Sequence, residues 1–376
     1  MVRLLQCLAG AKQGGAEMHF VRLALALKRA GLEQRVVMRP NPEAEALLRE
    51  GGLEPVTARF GGPLDMTTGR VLRREAAAFR PDIALGYMRR ACRWLPQGRK
   101  GGDFIRIGRL GGYYDLKDFT RCDHLVGITP DIVEHCRRGG WAEERTHVIP
   151  NFVEDVSAPP HPRAALDTPE DAPLVFALGR LHRNKAFDVL LAALAKLPEA
   201  YLWLAGEGPL RAVLEAEAER LGVAGRVRFL GWQSDSAPYF AASDLYVVPS
   251  RHEPLGSVLL EGWMSRVPMV AAASQGPSWL VEHERNGLLV PIDDAEAMAA
   301  ALRRLLDEPD LAARLVAQGR ADYEAGFTEE AAVKQYLALF EKVLAERRDS
   351  SDRPSVEPPS PTLPLEGGRE PFGGDG

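Results

Sequence analysis

Strand-forming runs alternate with amphipathic helical segments along nearly the whole chain, and this alternation limits the fold more than any other feature. A strand is predicted at Val2–Leu8 and a helix at Ala16–Ala30, where Phe20, Leu23 and Leu27 share one face. Repeated βα units of this kind build parallel sheets with helical crossovers. The same pattern predicts further strands at Gln34–Met38, Ile83–Gly86, Phe104–Ile107 and His124–Ile128.

The alternation breaks near residue 150 and restarts at residue 174. Residues 157–173 are rich in Pro, Ala and acidic residues, a composition typical of a linker. We therefore predict two doubly wound α/β domains, at residues 1–156 and 174–328. The strands of the second domain are predicted at Leu174–Leu178, Tyr201–Ala205, Val227–Leu230, Leu245–Val248 and Met269–Ala272.

The C-terminal part of the chain differs in character from both domains. Residues 329–348 form a long amphipathic pattern that predicts a final helix. Residues 349–376 are dominated by Pro, Gly, Ser and charged residues, and we expect this tail to be disordered.

Composition excludes several classes of protein. The four cysteines form no C-x-x-C pair, which argues against structural zinc and a disulfide framework and indicates reduced thiols. No apolar run reaches the roughly 18 residues of a transmembrane helix, and the apolar start fits a strand better than a signal peptide. We expect a soluble cytoplasmic protein.

Charge is distributed unevenly, since residues 1–150 hold 25 Lys and Arg against 17 Asp and Glu although the whole chain carries −5. This asymmetry favours an anionic partner for the first half, such as an anionic membrane surface at the inner face of the cytoplasmic membrane. A solvated arginine-rich surface explains it equally well. Few aromatic residues interleave the arginines, so nucleic acid is not an expected partner. The densest basic stretch comprises Arg70, Arg73, Arg74, Arg80, Arg89, Arg90, Arg93, Arg99 and Lys100.

Two glutamates, Glu253 and Glu261, flank the point where a predicted strand and turn lead into a helix. The first free N–H groups of that helix, near Gly256 and Ser257, would attract an anion such as phosphate. The two carboxylates would lie about 8–12 Å apart along the helix axis, which is the span of a nucleotide-diphosphate sugar. A first-turn charge and a solvated helix face are the alternative explanation of the bare spacing.

Two loops of the second domain carry further candidates. Ligands bind at the carboxyl ends of parallel strands, so Arg180 and Lys185 are placed at the mouth of a cleft, where two cations neutralise a diphosphate. The pair Gly206 and Gly208 lets the backbone approach a ligand closely. Each loop taken alone also fits an ordinary surface loop or tight turn.

Taken in order, these motifs resemble those of the retaining glycosyltransferases of family 4, which have the GT-B fold. The resemblance covers about residues 1–345 and implies two Rossmann-like domains that face each other across a cleft. It also implies that the final helix crosses back onto the first domain. The motifs are Gly179-Arg180…Lys185, Gly206-Glu-Gly-Pro209, Phe229-Leu-Gly231, Glu253…Glu261 and Asn286-Gly-Leu-Leu-Val-Pro291.

The resemblance implies a role for each matching residue. Arg180 and Lys185 would hold the donor diphosphate, Glu253 would contact hydroxyls of the donor sugar, and Glu261 would bind the ribose. The loop Gly14–Glu17 matches the family's glycine-rich loop, which approaches the donor phosphates and the acceptor when the domains close. We therefore expect catalytic roles for Arg180, Lys185 and Glu253, donor binding by Gly15, Gly179, Gly206, Gly208, Leu255, Gly256, Ser257 and Glu261, and an acceptor-side role for Glu17.

The activity implied by the resemblance is transfer of a hexose, with retention, from a nucleotide-diphosphate sugar to a hydroxyl of a saccharide or lipid-linked acceptor. Lipopolysaccharide or other surface glycan assembly is the implied context. The donor would be a co-substrate and no cofactor is expected. No Asp-x-Asp occurs, which agrees with charge neutralisation by Arg180, Lys185 and a helix N-terminus instead of a metal.

Two positions depart from the family pattern. Many members place a His in the loop after the strand at Phe104–Ile107, where this chain has Gly108-Arg-Leu-Gly-Gly-Tyr-Tyr-Asp115. Tyr113, Tyr114 and Asp115 are the nearest polar candidates, for acceptor binding. Trp279 stands where a Glu commonly contacts the donor sugar, which leaves the identity of that sugar open.

Three rival functions remain open. A non-hydrolysing sugar-nucleotide epimerase has the same architecture and also binds a nucleotide sugar. A non-catalytic saccharide-binding relative would explain the absent loop His. A nicotinamide dehydrogenase fits the βα pattern alone, but neither first strand is followed by G-x-G-x-x-G.

Overall fold

The structure, a computed structural model, describes residues 2–10, 15–62, 65–96 and 104–351, with side chains to residue 348. Gly14, Arg99, Lys100 and the predicted tail beyond residue 351 lie outside the described residues. The first sheet has seven strands: β1 (Arg3–Leu8), β2 (Glu33–Met38), β3 (Pro55–Thr57), β4 (Ile83–Tyr87), β5 (Ile105–Leu110), β6 (His124–Gly127) and β7 (Thr146–Val148). All are parallel, in the order β3-β2-β1-β4-β5-β6-β7.

The second sheet has six parallel strands and confirms the second predicted α/β domain. The strands are β8 (Leu174–Leu178), β9 (Tyr201–Ala205), β10 (Val227–Gly231), β11 (Leu245–Val248), β12 (Met269–Ala272) and β13 (Leu288–Val290). Their order is β10-β9-β8-β11-β12-β13. Four of them have the bounds that the sequence pattern predicts.

Thirteen α-helices lie within the described ranges. They are α1 (Gly15–Arg29), α2 (Pro42–Glu50), α3 (Met66–Phe79), α4 (Met88–Trp94), α5 (Pro130–Arg138), α6 (Phe187–Leu194), α7 (Arg211–Arg220), α8 (Ala237–Ala242), α9 (Ser257–Met264), α10 (Gln275–Leu280), α11 (Ala295–Asp307), α12 (Pro309–Gly326) and α13 (Glu329–Ser351). Among these helices, none is both long and apolar enough to cross a membrane.

Each sheet is covered by helices on both faces, which explains why its strands are apolar on both sides. Strand β4 is buried at all five positions and β8 at its first four, as expected for the interior strands of a parallel sheet. In both sheets the strand order reverses, between β1 and β4 in the first and between β8 and β11 in the second. Ligands bind at such switch points, outside the carboxyl ends of the strands.

The chain crosses between the domains twice, and the two crossing segments contact each other. The amide of Val153 donates to the carbonyl of Phe327 at 3.2 Å, and the hydroxyl of Tyr323 donates to the carbonyl of Val153 at 3.1 Å. Beyond this crossing, α13 packs Tyr336 and Phe340 into the core of the first domain. Both rings are fully buried, so α13 is part of the first domain's core.

Candidate active site

A cavity of about 400 Å³ lies between the two domains, at the carboxyl ends of their strands. The first domain contributes the start of α1, including Gly15 and Glu17, and the second contributes the turns after β8 and β9 and the start of α9. Five of the residues predicted from the sequence to bind the donor line this cavity: Gly15, Gly179, Gly206, Ser257 and Glu261.

Glycine is required where the turns after β8 and β9 meet. Gly179 and Gly206 have φ of +151° and +135°, a region that L-residues with a side chain rarely adopt. A Cβ on Gly206 would lie 1.9 Å from the carbonyl oxygen of Gly179, and one on Gly208 would lie 2.4 Å from that of Leu181. The glycines therefore allow two backbone turns to pack together and form one wall of the cavity.

Lys185 and Glu253 form an ion pair beside this wall. Lys185 ends a short 3-10 helix after β8, and Glu253 lies in the turn before α9. Their side chains are only 21% and 12% exposed. The two residues that the sequence assigns to the diphosphate and to the donor sugar are therefore in direct contact, although neither lines the cavity itself.

Arg180 lies in the turn after β8, where it is exposed and makes no ion pair with another described residue. Its guanidinium is free to meet a ligand. Leu255 is buried, and its carbonyl oxygen lies 2.2 Å from where a Cβ of Gly276 would be. Leu255 thus lies where the turn before α9 packs against the start of α10.

The N-terminus of α9 would let a ligand come close to the helix backbone. Gly256 caps it at φ +81°, and Ser257 is its first residue. Glu261, one turn further on, is half-buried and points towards Ser236, whose hydroxyl lies 3.4 Å from the carboxylate. Burial raises the pKa of Glu261, against the opposing influence of Arg22, Ser236 and Lys185. Glu261 therefore lines a cavity and is not on a solvated helix face.

Three of the four predicted acceptor residues, Tyr113, Tyr114 and Asp115, lie after β5 and do not line the cavity, whereas the fourth, Glu17 on α1, lines it. The hydroxyl of Tyr113 donates to Asp131, and Tyr114 stacks on Phe119 with ring centroids 6.1 Å apart. Asp115 caps a 3-10 helix through the amide of Lys117 at 3.1 Å. Their acceptor role stays a prediction.

Three residues that the sequence interpretation did not select complete the cleft: His19 and Arg22 on α1, and Asn151 in the first crossing segment. His19 and Arg22 line the cavity. The amide of Asn151 donates to the hydroxyl of Ser257 at 2.9 Å. Polar residues three apart near the start of a helix that follows a glycine-rich loop were the available signal for the first two.

Trp279 is turned away from the cavity, because its ring packs edge-on against Phe327 of the second crossing segment, with centroids 6.3 Å apart. The described ranges contain no group of three His, Cys, Asp or Glu side chains that is close enough to hold a metal ion.

Comparison with known proteins identifies the family. The profile of Glycosyltransferase Family 4 matches residues 13–157, and that of Glycosyl transferases group 1 matches residues 161–322. The lipopolysaccharide core biosynthesis glycosyltransferase LpsD of Rhizobium meliloti (strain 1021) is 40% identical over 343 residues, which are 89% of this chain and 97% of that protein. LpsE of the same strain is 40% identical over 337 residues, 88% and 96% of the two chains.

Solved structures show the same architecture. The crystal structure of Anabaena Alr3699/HepE in complex with UDP and glucose matches with a TM-score of 0.79 and 20% identity, covering 91% of this chain and 100% of that one. Similarity at this identity shows the fold, and the relatives at 40% identity show the family. The chain therefore belongs to the glycosyltransferases of family 4, built on the two-domain GT-B fold.

Proposed function

We propose that this glycosyltransferase moves a hexose from a nucleotide-diphosphate sugar to a hydroxyl of a saccharide or lipid-linked acceptor during assembly of the lipopolysaccharide core. One observation carries the proposal: the glycine turns, the Lys185–Glu253 pair and the N-terminus of α9 meet at one edge of the second sheet, where the glycine turns and α9 line the cavity shared with the first domain. The names of LpsD and LpsE supply the biological context.

The donor would lie with its diphosphate between the N–H groups of α9 and the two cations Arg180 and Lys185. Helix N-termini and cations at such a position stabilise the charge that develops on the leaving oxygen. Glu253, held by Lys185, would accept hydrogen bonds from hydroxyls of the sugar, and Glu261 from those of the ribose. The structure of the similarly folded Anabaena Alr3699/HepE, in complex with UDP and glucose, supports a nucleotide sugar as the donor.

From the same arrangement we propose that the configuration at the anomeric carbon is retained. The bond between the anomeric carbon and the phosphate oxygen breaks, the acceptor oxygen bonds to that carbon on the same face, and the departing phosphate takes the acceptor proton. Positioning and fixed charge then supply most of the catalysis. Since Arg180, Lys185 and α9 neutralise the leaving group, we propose that no metal is needed.

We also propose that the first domain works at an anionic membrane surface on the cytoplasmic side. Helix α3 carries the exposed Arg70 and Arg73 together with Met66, which is 76% exposed, and α4 carries the exposed Arg90. Basic groups beside an exposed apolar residue are attracted to anionic lipid. Sedimentation of the protein with vesicles that contain or lack phosphatidylglycerol tests this proposal. Binding that phosphatidylglycerol does not strengthen would contradict it.

The test of the transferase proposal has two steps. A thermal-shift panel of UDP-, GDP- and ADP-sugars identifies the donor, because a ligand at about 100 times its Kd stabilises the fold by about 2.7 kcal/mol. The selected donor is then incubated with truncated lipopolysaccharide core, and the product is analysed by mass spectrometry and NMR. Epimerised donor formed without acceptor would favour the epimerase instead.

A further inference from the structure

Two side chains on α1 face the cavity and have no role in the function proposed above. We propose that His19 and Arg22 form a first-domain half of the donor site and bind the diphosphate of the nucleotide sugar. This inference rests on the proposed function, since it needs a nucleotide-diphosphate sugar in the cleft.

The imidazole of His19 is the first observation. It is only 4% exposed, lines the cavity, and neither ring nitrogen has a hydrogen-bond partner among the described residues. One edge of the ring meets Phe152 at a centroid distance of 5.3 Å, an apolar contact that satisfies neither nitrogen. Buried polar groups are rarely left unpaired because each costs about 1–3 kcal/mol. A ligand in the cavity would supply the missing partner.

Arg22 is the second observation. It follows His19 by three positions, so both side chains lie on one face of α1. Arg22 is half-buried, lines the same cavity and forms no ion pair with any carboxylate in the described chain. Its charge lowers the pKa of Glu261 on the opposite wall, against the effect of burial. The guanidinium thus faces the cavity without a fixed partner.

The charges around the cavity limit where a diphosphate can lie. Its lining includes the carboxylates Glu17, Glu43, Glu154, Asp235 and Glu261. Among the lining residues of the described chain, Arg22 alone carries a permanent positive charge. Carboxylates suit the hydroxyls of ribose and sugar and repel phosphate, so the diphosphate is directed to the space between Arg22 and the cations of the second domain.

His19 can serve this anion as a neutral donor. Burial, with the charges of Arg109 and Arg22, holds its pKa well below the ordinary value. A neutral imidazole carries one N–H, which can donate to a phosphate oxygen without adding charge to the cavity. Because α1 belongs to the first domain, both contacts would reach the diphosphate from the side opposite the cations of the second domain.

The test compares His19→Phe, Arg22→Gln and Arg22→Lys with the wild type by isothermal titration with UDP, GDP and ADP, and with each matching nucleoside by competition. We expect His19→Phe and Arg22→Gln to weaken binding of the preferred nucleoside diphosphate about tenfold to a hundredfold. Binding of the nucleoside should change less than about threefold, and Arg22→Lys should recover part of the loss. His19→Leu, which also lacks a donor and is smaller, replaces His19→Phe if the latter does not fold.

Each other outcome contradicts the inference. Unchanged diphosphate affinity in His19→Phe and Arg22→Gln would overturn it, and so would equal losses for nucleoside and diphosphate, which would show that the residues only support the fold. Lys185→Ala, measured in parallel, reports on the second-domain site. If Lys185→Ala alone binds weakly, the proposed function stands and this inference fails; if the wild type binds no nucleotide, both fail.

Discussion

The amide of Asn151 donates a hydrogen bond of 2.9 Å to the hydroxyl of Ser257, and this bond joins the two domains at the N-terminus of α9. Behind it, the guanidinium of Arg109 donates to the side-chain oxygen of Asn151 and, at 2.9 Å, to the hydroxyl of Tyr336 on α13. Arg109 is 4% exposed and has no carboxylate partner in the described chain. Hydrogen bonds therefore run without a break from the returning helix to the proposed phosphate site.

A double-mutant cycle on Asn151 and Ser257 should show this connection. Asn151→Ala is expected to lower the free energy of unfolding by about 1–3 kcal/mol, because the buried Arg109 loses an acceptor. Ser257→Ala removes one hydrogen bond and should cost about 1 kcal/mol. Urea unfolding of the single and double variants should give a coupling energy of about 0.5–1.5 kcal/mol. Strictly additive losses would mean that the bond contributes nothing to stability.

Replacing Lys185 by Ala should impair transfer more than it impairs folding. The substitution removes a cation from the proposed diphosphate site and leaves Glu253, 12% exposed, without its partner. Removing one group that stabilises the charge developing in the transition state costs about 3 kcal/mol, so kcat/KM should fall about a hundredfold or more. Initial rates with the donor found by thermal shift measure the effect.

Lys196→Ala is the matched control for this prediction. Lys196 pairs with Glu296 at the surface, where the two side chains are 40% and 79% exposed. Exposed pairs of this kind contribute about 0–1 kcal/mol, so the transfer rate should not change. Equal losses in both variants would contradict a special role for Lys185.

Gly206→Ala should destabilise the second domain and abolish nucleotide binding. The added Cβ would lie 1.9 Å from the carbonyl oxygen of Gly179, and φ at Gly206 is +135°. Strained backbone and overlap with main-chain atoms cost about 1–3 kcal/mol each. Gly225→Ala is the control, since nothing lies within 4 Å of its added Cβ. If the two variants have the same melting temperature, the close approach of the turns is not needed.

The alternation of strands and helices was enough to predict both sheets, because burial on both faces leaves a continuous apolar run in strands such as Leu174–Leu178. It missed β3, β7 and β13, each of three residues. A run that short gives no recognisable period, and its pairing depends on a neighbouring strand supplied by the rest of the fold.

The site was predicted as a set of residue types but not as contacts. The glycines and cations after β8 and β9 could be predicted because they come directly after strands that the local sequence reveals. The Lys185–Glu253 pair joins positions 68 apart, and the ring of Trp279 packs on Phe327. Contacts of this kind depend on how separate loops meet, and no spacing in the sequence records that.

Glu261→Gln should stabilise the protein at neutral pH while weakening nucleotide binding. Burial raises the pKa of Glu261 in the folded protein above its ordinary value of about 4.5. As the pH rises through that ordinary value, the unfolded chain loses its proton first, so the unfolded state binds fewer protons and stability falls. The fall continues until the folded carboxyl has also ionised. Glutamine has no proton to lose, so this decline should disappear in the variant.

Urea unfolding of the wild type and Glu261→Gln between pH 4 and pH 8 measures the effect. The variant's advantage should be largest at the alkaline end and shrink as the pH falls towards the ordinary value, where both states of the wild type hold the proton. Glu296→Gln, at a side chain 79% exposed, reports the general effect of removing a glutamate. A difference in stability between the two proteins that stays constant across the range would contradict a raised pKa. If the variant gains stability in this pH-dependent way and also loses binding of UDP, GDP and ADP, then Glu261 serves ligand binding at the expense of stability.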